Sequence, residues 1–341
     1  MVIEYKEDIK AANPYRQDYL SSVQKLVQDK LAGCAQSRFE NARCMLDDPE
    51  CARKQLRELM GWPLTEPVRK PLSVERELLR EENGVGLYRM RFEIFEGFHF
   101  YGLFFEHMDR KLPFVLAQHG YGGTSEQCSN LFEMGTVIYN DMSQRIAQKQ
   151  VHVFVPQLLM WFPERYQLEH DRVILDAKLK QIGGSITALE IYCLQCCLSY
   201  FEELGCVEAD KMGMIGLSYG GYFTLYTAAL DVRLKAALSC CYFNDRTKFL
   251  YPDWTWKGAA ESFLDSEVAL LCYPRRLWIA LGSRDAHIPA DTGREEYERL
   301  KREIAASQID DSWLRFHIFD GEHEFCPDDT FLDQMLDVLK Q

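Results

Sequence analysis

Short apolar runs alternate with longer amphipathic or apolar segments along this chain, and their spacing predicts a layered α/β architecture. Residues 113–118, 151–155, 211–215, 236–240, 276–281 and 313–319 read as buried strands. Helix-like segments separate them, among them the apolar stretch from Tyr222 to Leu230. Strand and helix in alternation predict a mostly parallel central sheet with helices on both faces. Upstream, residues 74–106 carry period-two stretches such as Tyr88-Arg89-Met90-Arg91-Phe92-Glu93-Ile94, the pattern of antiparallel opening strands. Residues 13–60 read as charge-rich amphipathic helices, with starts at Asn13-Pro14 and Asp48-Pro49 and a stop at Gly61. This helical extension is expected to pack on the core; covering a site or mediating dimer contacts are the alternatives. No internal repeat or low-complexity linker interrupts the pattern.

One strand end carries chemistry. Lys211-Met212-Gly213-Met214-Ile215-Gly216-Leu217-Ser218-Tyr219-Gly220-Gly221 is an apolar run that breaks at glycine, presents one serine and continues into the Tyr222–Leu230 helix. A strand that becomes a helix within a few residues leaves its serine strained at the tip, and flanking glycines remove the side chains that would clash. Ser218 is therefore the candidate nucleophile. A serine hydroxyl needs an imidazole to take its proton and a carboxylate to orient that imidazole. Leu277-Trp278-Ile279-Ala280-Leu281 reads as a buried strand ending in Gly282-Ser283-Arg284-Asp285, so Asp285 would sit at a strand's carboxyl end. Asp291, six residues on, is the alternative acid or a helix cap. The last strand runs into Asp320-Gly321-Glu322-His323-Glu324-Phe325, which puts His323 on a loop just past the sheet. His287 reads as a rim residue. Upstream, His119-Gly120-Tyr121-Gly122-Gly123-Thr124 follows a strand, and its glycines suit a loop whose backbone N–H groups hold a developing oxyanion. The expected donors are the Tyr121 and Tyr219 amides, with His119 organising the loop.

Together HGYGGT, GLSYGG, LGSRDAHIP and DGEHEF resemble the α/β-hydrolase superfamily, in its dienelactone-hydrolase and acetyl-xylan-esterase-like branch. The resemblance covers residues 85–341 and implies an α/β-hydrolase fold with Ser218, Asp285 and His323 as triad. It also implies an oxyanion hole from the Tyr121 and Tyr219 amides. Two departures stand out: those deacetylases often have Gln where this chain has Tyr219, and dienelactone hydrolases proper use cysteine where it has Ser218. On this basis residues 1–70 form an N-terminal helical extension and 71–341 the catalytic domain. The expected activity is serine carboxylic-ester hydrolysis, with an esterase or deacetylase acting on a small or carbohydrate-linked ester. A peptidase resembling the prolyl-oligopeptidase catalytic domain is the runner-up, weakened by the lack of a repeat region for a propeller. A non-catalytic binding protein on the same fold is the third reading.

Two insertions, 156–184 and 242–258, should border the pocket, and they supply Trp161, Arg165, Asn244, Arg246 and Trp254 as candidate pocket residues. Aromatic rings suit sugars or aryl esters. Anchoring of the insertions to the core is the alternative role for them, as surface ion pairing is for the arginines. Composition narrows the classes further. A net charge of −13 without a basic cluster argues against nucleic acid. No apolar run is long enough for a bilayer. The 12 cysteines include Cys196-Cys197 and Cys240-Cys241 inside apolar segments, and the first residues are charged, unlike a secretory signal. Reduced, buried thiols in a cytoplasmic enzyme are expected. No Cys/His set has zinc spacing, so neither a metal nor another cofactor is expected. The expected partner is a small-molecule ester substrate, with homo-oligomerisation left open.

Overall fold

A computed structural model of the protein describes residues 4–132, 138–249 and 251–341; Leu250, inside the second insertion, lies outside the described residues. The opening strands β1 (Ser73–Glu82), β2 (Val85–Phe95) and β3 (Phe98–His107) form an antiparallel meander. In β2 only alternate residues such as Met90, Phe92 and Ile94 are buried, as expected where one face meets the core and the other meets water. The next strands are β4 (Leu112–Gln118), β5 (His152–Pro156), β6 (Val207–Leu217), β7 (Leu234–Cys240), β8 (Arg276–Gly282) and β9 (Leu314–Phe319). All join one sheet in the order β1-β2-β3-β5-β4-β6-β7-β8-β9, antiparallel up to the β3–β5 pair and parallel beyond it. All five residues of β5 are buried, since helices cover both faces there.

The crossovers are helical. Helices α1 (Asn13–Asp47) and α2 (Pro49–Met60) precede the sheet, while α3 (Ser125–Cys128) and α4 (Met142–Gln148) link β4 to β5. Next, α5 (Pro163–Tyr166), α6 (Arg172–Gln181) and α7 (Ile186–Glu202) lie between β5 and β6. Helix α8 (Tyr219–Leu230) follows β6, α9 (Ala259–Ser262) and α10 (Asp265–Leu270) follow β7, α11 (Ala290–Ser307) follows β8, and α12 (Thr330–Lys340) ends the chain. One core layer packs α2, α7, α8 and α10 against the sheet, and a second lies under α4 and α12. Every residue of α8 is buried. Among the described residues no helix is long and apolar enough to cross a membrane.

The N-terminal helices dock through arginines. Arg53 of α2 donates to Ala229 O (2.9 Å) and Leu271 O (3.0 Å), and Arg57 donates to Leu230 O (2.9 Å). These carbonyls belong to the last turns of α8 and α10, where helices run out of their own donors. Arg38 of α1 pairs with buried Glu267 at 3.1 Å. By contrast, every residue from Asn13 to Lys30 is exposed.

The parallel strands end in register, with Gln118 opposite Gly216, Leu217 opposite Cys240, Cys240 opposite Ala280, and Gly282 opposite Phe319. The turn from β6 into α8 is sterically closed. A Cβ on Gly216 would lie 2.2 Å from Gly220 O, and one on Gly220 would lie 2.1 Å from Gln118 O. Gly220→Ala should therefore destabilise by about 3 kcal/mol, the upper range for overpacking in a rigid interior. Thermal denaturation checks this: a melting temperature equal to that of the parent would contradict the steric argument.

Candidate active site

Ser218 stands between β6 and α8 with φ 61° and ψ −123°. Such a conformation costs a non-glycine residue about 1–3 kcal/mol and persists only where surroundings impose it. Here the Ser218 N–H donates to Cys240 O (2.9 Å) and the Ser218 carbonyl accepts from Tyr222 N (3.0 Å). Both bonds tie the residue to the neighbouring strand and to its own helix.

Asp285 lies in the turn after β8. Its Oδ1 accepts from the His287 and Ile288 amides, both at 2.8 Å, and its Oδ2 meets His323 Nδ1 at 2.7 Å. Burial works against the Asp285 charge, but the His323 contact and the two amides outweigh it and hold the carboxyl below its ordinary pKa. The alternative acid, Asp291, sits instead in the first turn of α11. His323 is carried by a loop that packs tightly on β8, since a Cβ on Gly282 would lie 2.1 Å from Glu322 O. Asn140 further pins that loop through Glu324 Oε2 (2.9 Å) and Phe325 O (2.6 Å). His287 sets its ring edge against His323, with centroids 5.1 Å apart. Cys241, next to the residue that holds the Ser218 amide, brings its Sγ within 4.8 Å of the Asp285 and His323 ligand atoms. The serine and the acid–histidine pair thus share one corner of the sheet. Among the described residues Ser218 Oγ makes no hydrogen bond, and such contacts commonly tighten only when substrate is bound.

The loop after β4 presses on the serine: a Cβ on Gly120 would lie 2.9 Å from Ser218 Cβ. The Gly120 N–H donates to Tyr139 Oη (3.1 Å), and the Gly122 N–H to Met160 O (2.7 Å). His119 is wholly buried; its Nδ1 meets Gly120 O at 2.9 Å and its Nε2 accepts from Leu158 N at 3.1 Å. Burial pushes the His119 pKa down to about 4, so the ring is neutral and bridges the two chain segments. Among the described residues the Tyr121 and Tyr219 amides have no protein acceptor, which leaves them available to an anionic oxygen.

A buried ionic knot stands behind Tyr219. The Tyr219 hydroxyl donates to Asp253 Oδ1 (2.9 Å), whose Oδ2 accepts from Arg172 Nε (2.7 Å). Arg172 also forms a two-pronged pair with Glu190 at 2.9 and 2.7 Å, and Glu190 accepts the Leu159 amide at 2.9 Å. Burial opposes the Arg172 charge, but the two carboxylates more than offset it and raise its pKa. Arg172, Asp253 and Glu190 join both insertions to α7, and the pattern of hydrophobicity gave no signal for them.

The predicted pocket residues divide. Trp161 is half-buried, donates to Leu168 O (3.1 Å) and bridges through its backbone to Gly122. Arg165 is exposed on α5. Asn244, Arg246 and Trp254 are buried, at 1%, 4% and 1% exposure. Arg246 pairs with Asp265 at 2.9 Å and donates to Phe263 O at 3.0 Å, Asn244 donates to Pro289 O at 3.3 Å, and Trp254 packs 4.5 Å from Tyr219. They brace the second insertion from inside. Exposed rings gather around Tyr219: Tyr121 and Tyr251 lie against it, and Phe162 lies against Tyr121. The Tyr121 ring meets Phe162 edge-on at 5.6 Å and lies 5.7 Å from Tyr219.

The strand order and the helical crossovers are shared with solved structures. The chain has the α/β-hydrolase fold. It superposes on a glucuronoyl esterase from Solibacter usitatus with a TM-score of 0.58 and 14% identity, over 86% of this chain and 91% of that one. For acetyl xylan esterase 1 from Thermoanaerobacterium sp. the TM-score is 0.52 with 15% identity, over 84% and 98% of the chains. In sequence it is 27% identical over 268 residues to YtaP, a provisionally named hydrolase of Bacillus subtilis (strain 168), covering 74% of this chain and 86% of that protein. No protein-family profile matches the chain.

Two outcomes are expected from this geometry. Glu190→Ala leaves Arg172 with half its partners in a dry interior, and melting curves should register a loss of about 3–5 kcal/mol. His119 is driven below its ordinary value of 6.5, so the unfolded chain binds a proton that the folded chain refuses. Its contribution to stability is present above pH 6.5 and lost as pH falls towards about 4. Denaturant titrations across that window should show stability falling, with a smaller slope in His119→Asn.

Proposed function

We propose that the protein is a serine carboxylic-ester hydrolase, an esterase or deacetylase, whose catalytic machinery lies within residues 71–341. The observation that carries this reading is the strained Ser218 turn beside the 2.7 Å Asp285–His323 contact. Asp285 holds the His323 proton on Nδ1, which leaves Nε2 as the base. Ser218 Oγ attacks the ester carbonyl while His323 Nε2 accepts its proton. The tetrahedral oxyanion lies between the Tyr121 and Tyr219 amides, whose freedom from other acceptors supports the assignment. His323 then protonates the departing alcohol, and water releases the acid from the acyl-enzyme by the same route reversed.

An ester of a small or carbohydrate-linked alcohol fits the exposed rings of Tyr121, Phe162 and Tyr251, which offer flat apolar faces beside a polar centre. The structural neighbours named as acetyl xylan and glucuronoyl esterases support the same class. The 12 cysteines are free, which suits a cytoplasmic enzyme.

Hydrolysis of p-nitrophenyl esters from acetate to octanoate tests the reading. Ser218→Ala should cost at least about a thousandfold in kcat, and Asp285→Asn about ten-thousandfold, while both variants remain folded. Absence of turnover on every ester, together with failure of a fluorophosphonate to label Ser218, would favour the binding-protein alternative.

A further inference from the structure

Behind the acid–histidine pair lies a set of thiols that ester hydrolysis does not use. Cys241 Sγ, an Asp285 carboxylate oxygen and a His323 ring nitrogen all lie within 4.8 Å of one another. They reach this point from the ends of β7, β8 and β9. Cys241 is fully buried, has φ 49° and gives its amide to Ala280 O (2.7 Å). Its thiol points to Glu324 O at 3.3 Å. Cys240 Sγ lies 4.0 Å from Cys241 Sγ and 3.7 Å from Cys326 Sγ, so sulfur surrounds this flank of the pair.

We propose that Cys241, Asp285 and His323 form an inhibitory site for a thiophilic divalent cation such as zinc. Its effect on activity rests on the triad reading above; its binding does not. Thiolate, imidazole and carboxylate are the ligand types that zinc takes, and three protein ligands leave one position for water. Bonds of about 2.0–2.3 Å around a tetrahedral ion place ligand atoms roughly 3.3–3.7 Å apart. The Asp285–His323 contact, now 2.7 Å, must open by about half an ångström to reach that spacing, a side-chain adjustment. Magnesium and calcium are disfavoured, because they require more oxygen ligands than this corner offers. The His323 side chain, 16% exposed, is the route by which an ion enters.

Occupancy would invert the histidine. The cation takes the Nδ1 lone pair, the proton that Nδ1 shares with Asp285 moves to Nε2, and the Cys241 thiol proton goes to solvent. Imidazole then carries N–H on Nε2 and has no lone pair left to accept the Ser218 proton. The ion therefore removes the base and its orienting carboxylate in one event.

Calorimetric titration of the reduced full-length protein with zinc chloride tests the site. One tight equivalent is expected in the parent protein. Cys241→Ser and Cys241→Ala should weaken it at least about 100-fold, since even groups that only support metal ligands are worth 10- to 100-fold. Fluorophosphonate labelling of Ser218 should slow at the same zinc concentration in the parent and not in these variants. Equal binding and equal protection in Cys241→Ser would overturn the proposal. A second measurement does not depend on those variants folding. Cobalt(II) bound through thiolate gives a charge-transfer band, expected to survive when the accessible Cys34, Cys44, Cys51 and Cys206 are all changed to serine. Loss of the band in that protein would assign the ion to surface thiols and end the proposal. Absence of Ser218 labelling at any zinc level would sink the hydrolase reading while the calorimetric result still decided the metal site.

Discussion

Everything near the candidate site depends on one steric constraint, the passage of β6 into α8 at Ser218. A strand and a helix can join this abruptly only if the residue between them takes a left-handed φ and its neighbours lack side chains. Gly216 and Gly220 satisfy the second condition with clearances of 2.2 and 2.1 Å for the missing Cβ atoms. The strain at Ser218 is held by β7 through the Cys240 carbonyl and by the buried α8, whose twelve residues fill the core. Packing far from the serine thus keeps it in a conformation it would not adopt alone.

Charge carries the next level of organisation. The two insertions have no sheet of their own to hold them, and the Arg172–Asp253–Glu190 knot fastens them to α7 and to the Tyr219 hydroxyl. Desolvation makes such a knot costly unless every partner is present, so its members specify one arrangement of the rim. The same logic appears at the N-terminal helices. Arg53 and Arg57 complete the open carbonyls of α8 and α10, which makes the extension a cap on helices that would otherwise end unsatisfied.

Much of this was legible in the chain. The strand runs, the helix starts at Asn13 and Pro49, the stop at Gly61 and the sharp turn at Ser218 all depend on local sterics and on the period of hydrophobic residues. Depth in the fold was not legible. Asn244, Arg246 and Trp254 looked like rim residues because polar and aromatic types cluster there, but each is buried. Residue type does not reveal depth: a buried arginine with a carboxylate and carbonyls around it is, in sequence, the same as an exposed one. Tyr139, which holds the Gly120 amide, gave no signal for a related reason, since its partner lies nineteen residues away across a loop.

The sequence by itself determined the order of strands and helices, the elbow and the loops on which Ser218, Asp285 and His323 stand. Those features rest on interactions within a few residues, where chain connectivity fixes the geometry. Tertiary structure decided which carboxylate meets His323, since Asp285 and Asp291 differ only in how the turn after β8 directs them. It also decided that Cys241 joins that pair, a meeting no spacing rule could anticipate because the ligands come from three strand ends. The in-register ends of parallel strands converge residues distant in sequence, and that convergence is a property of the sheet.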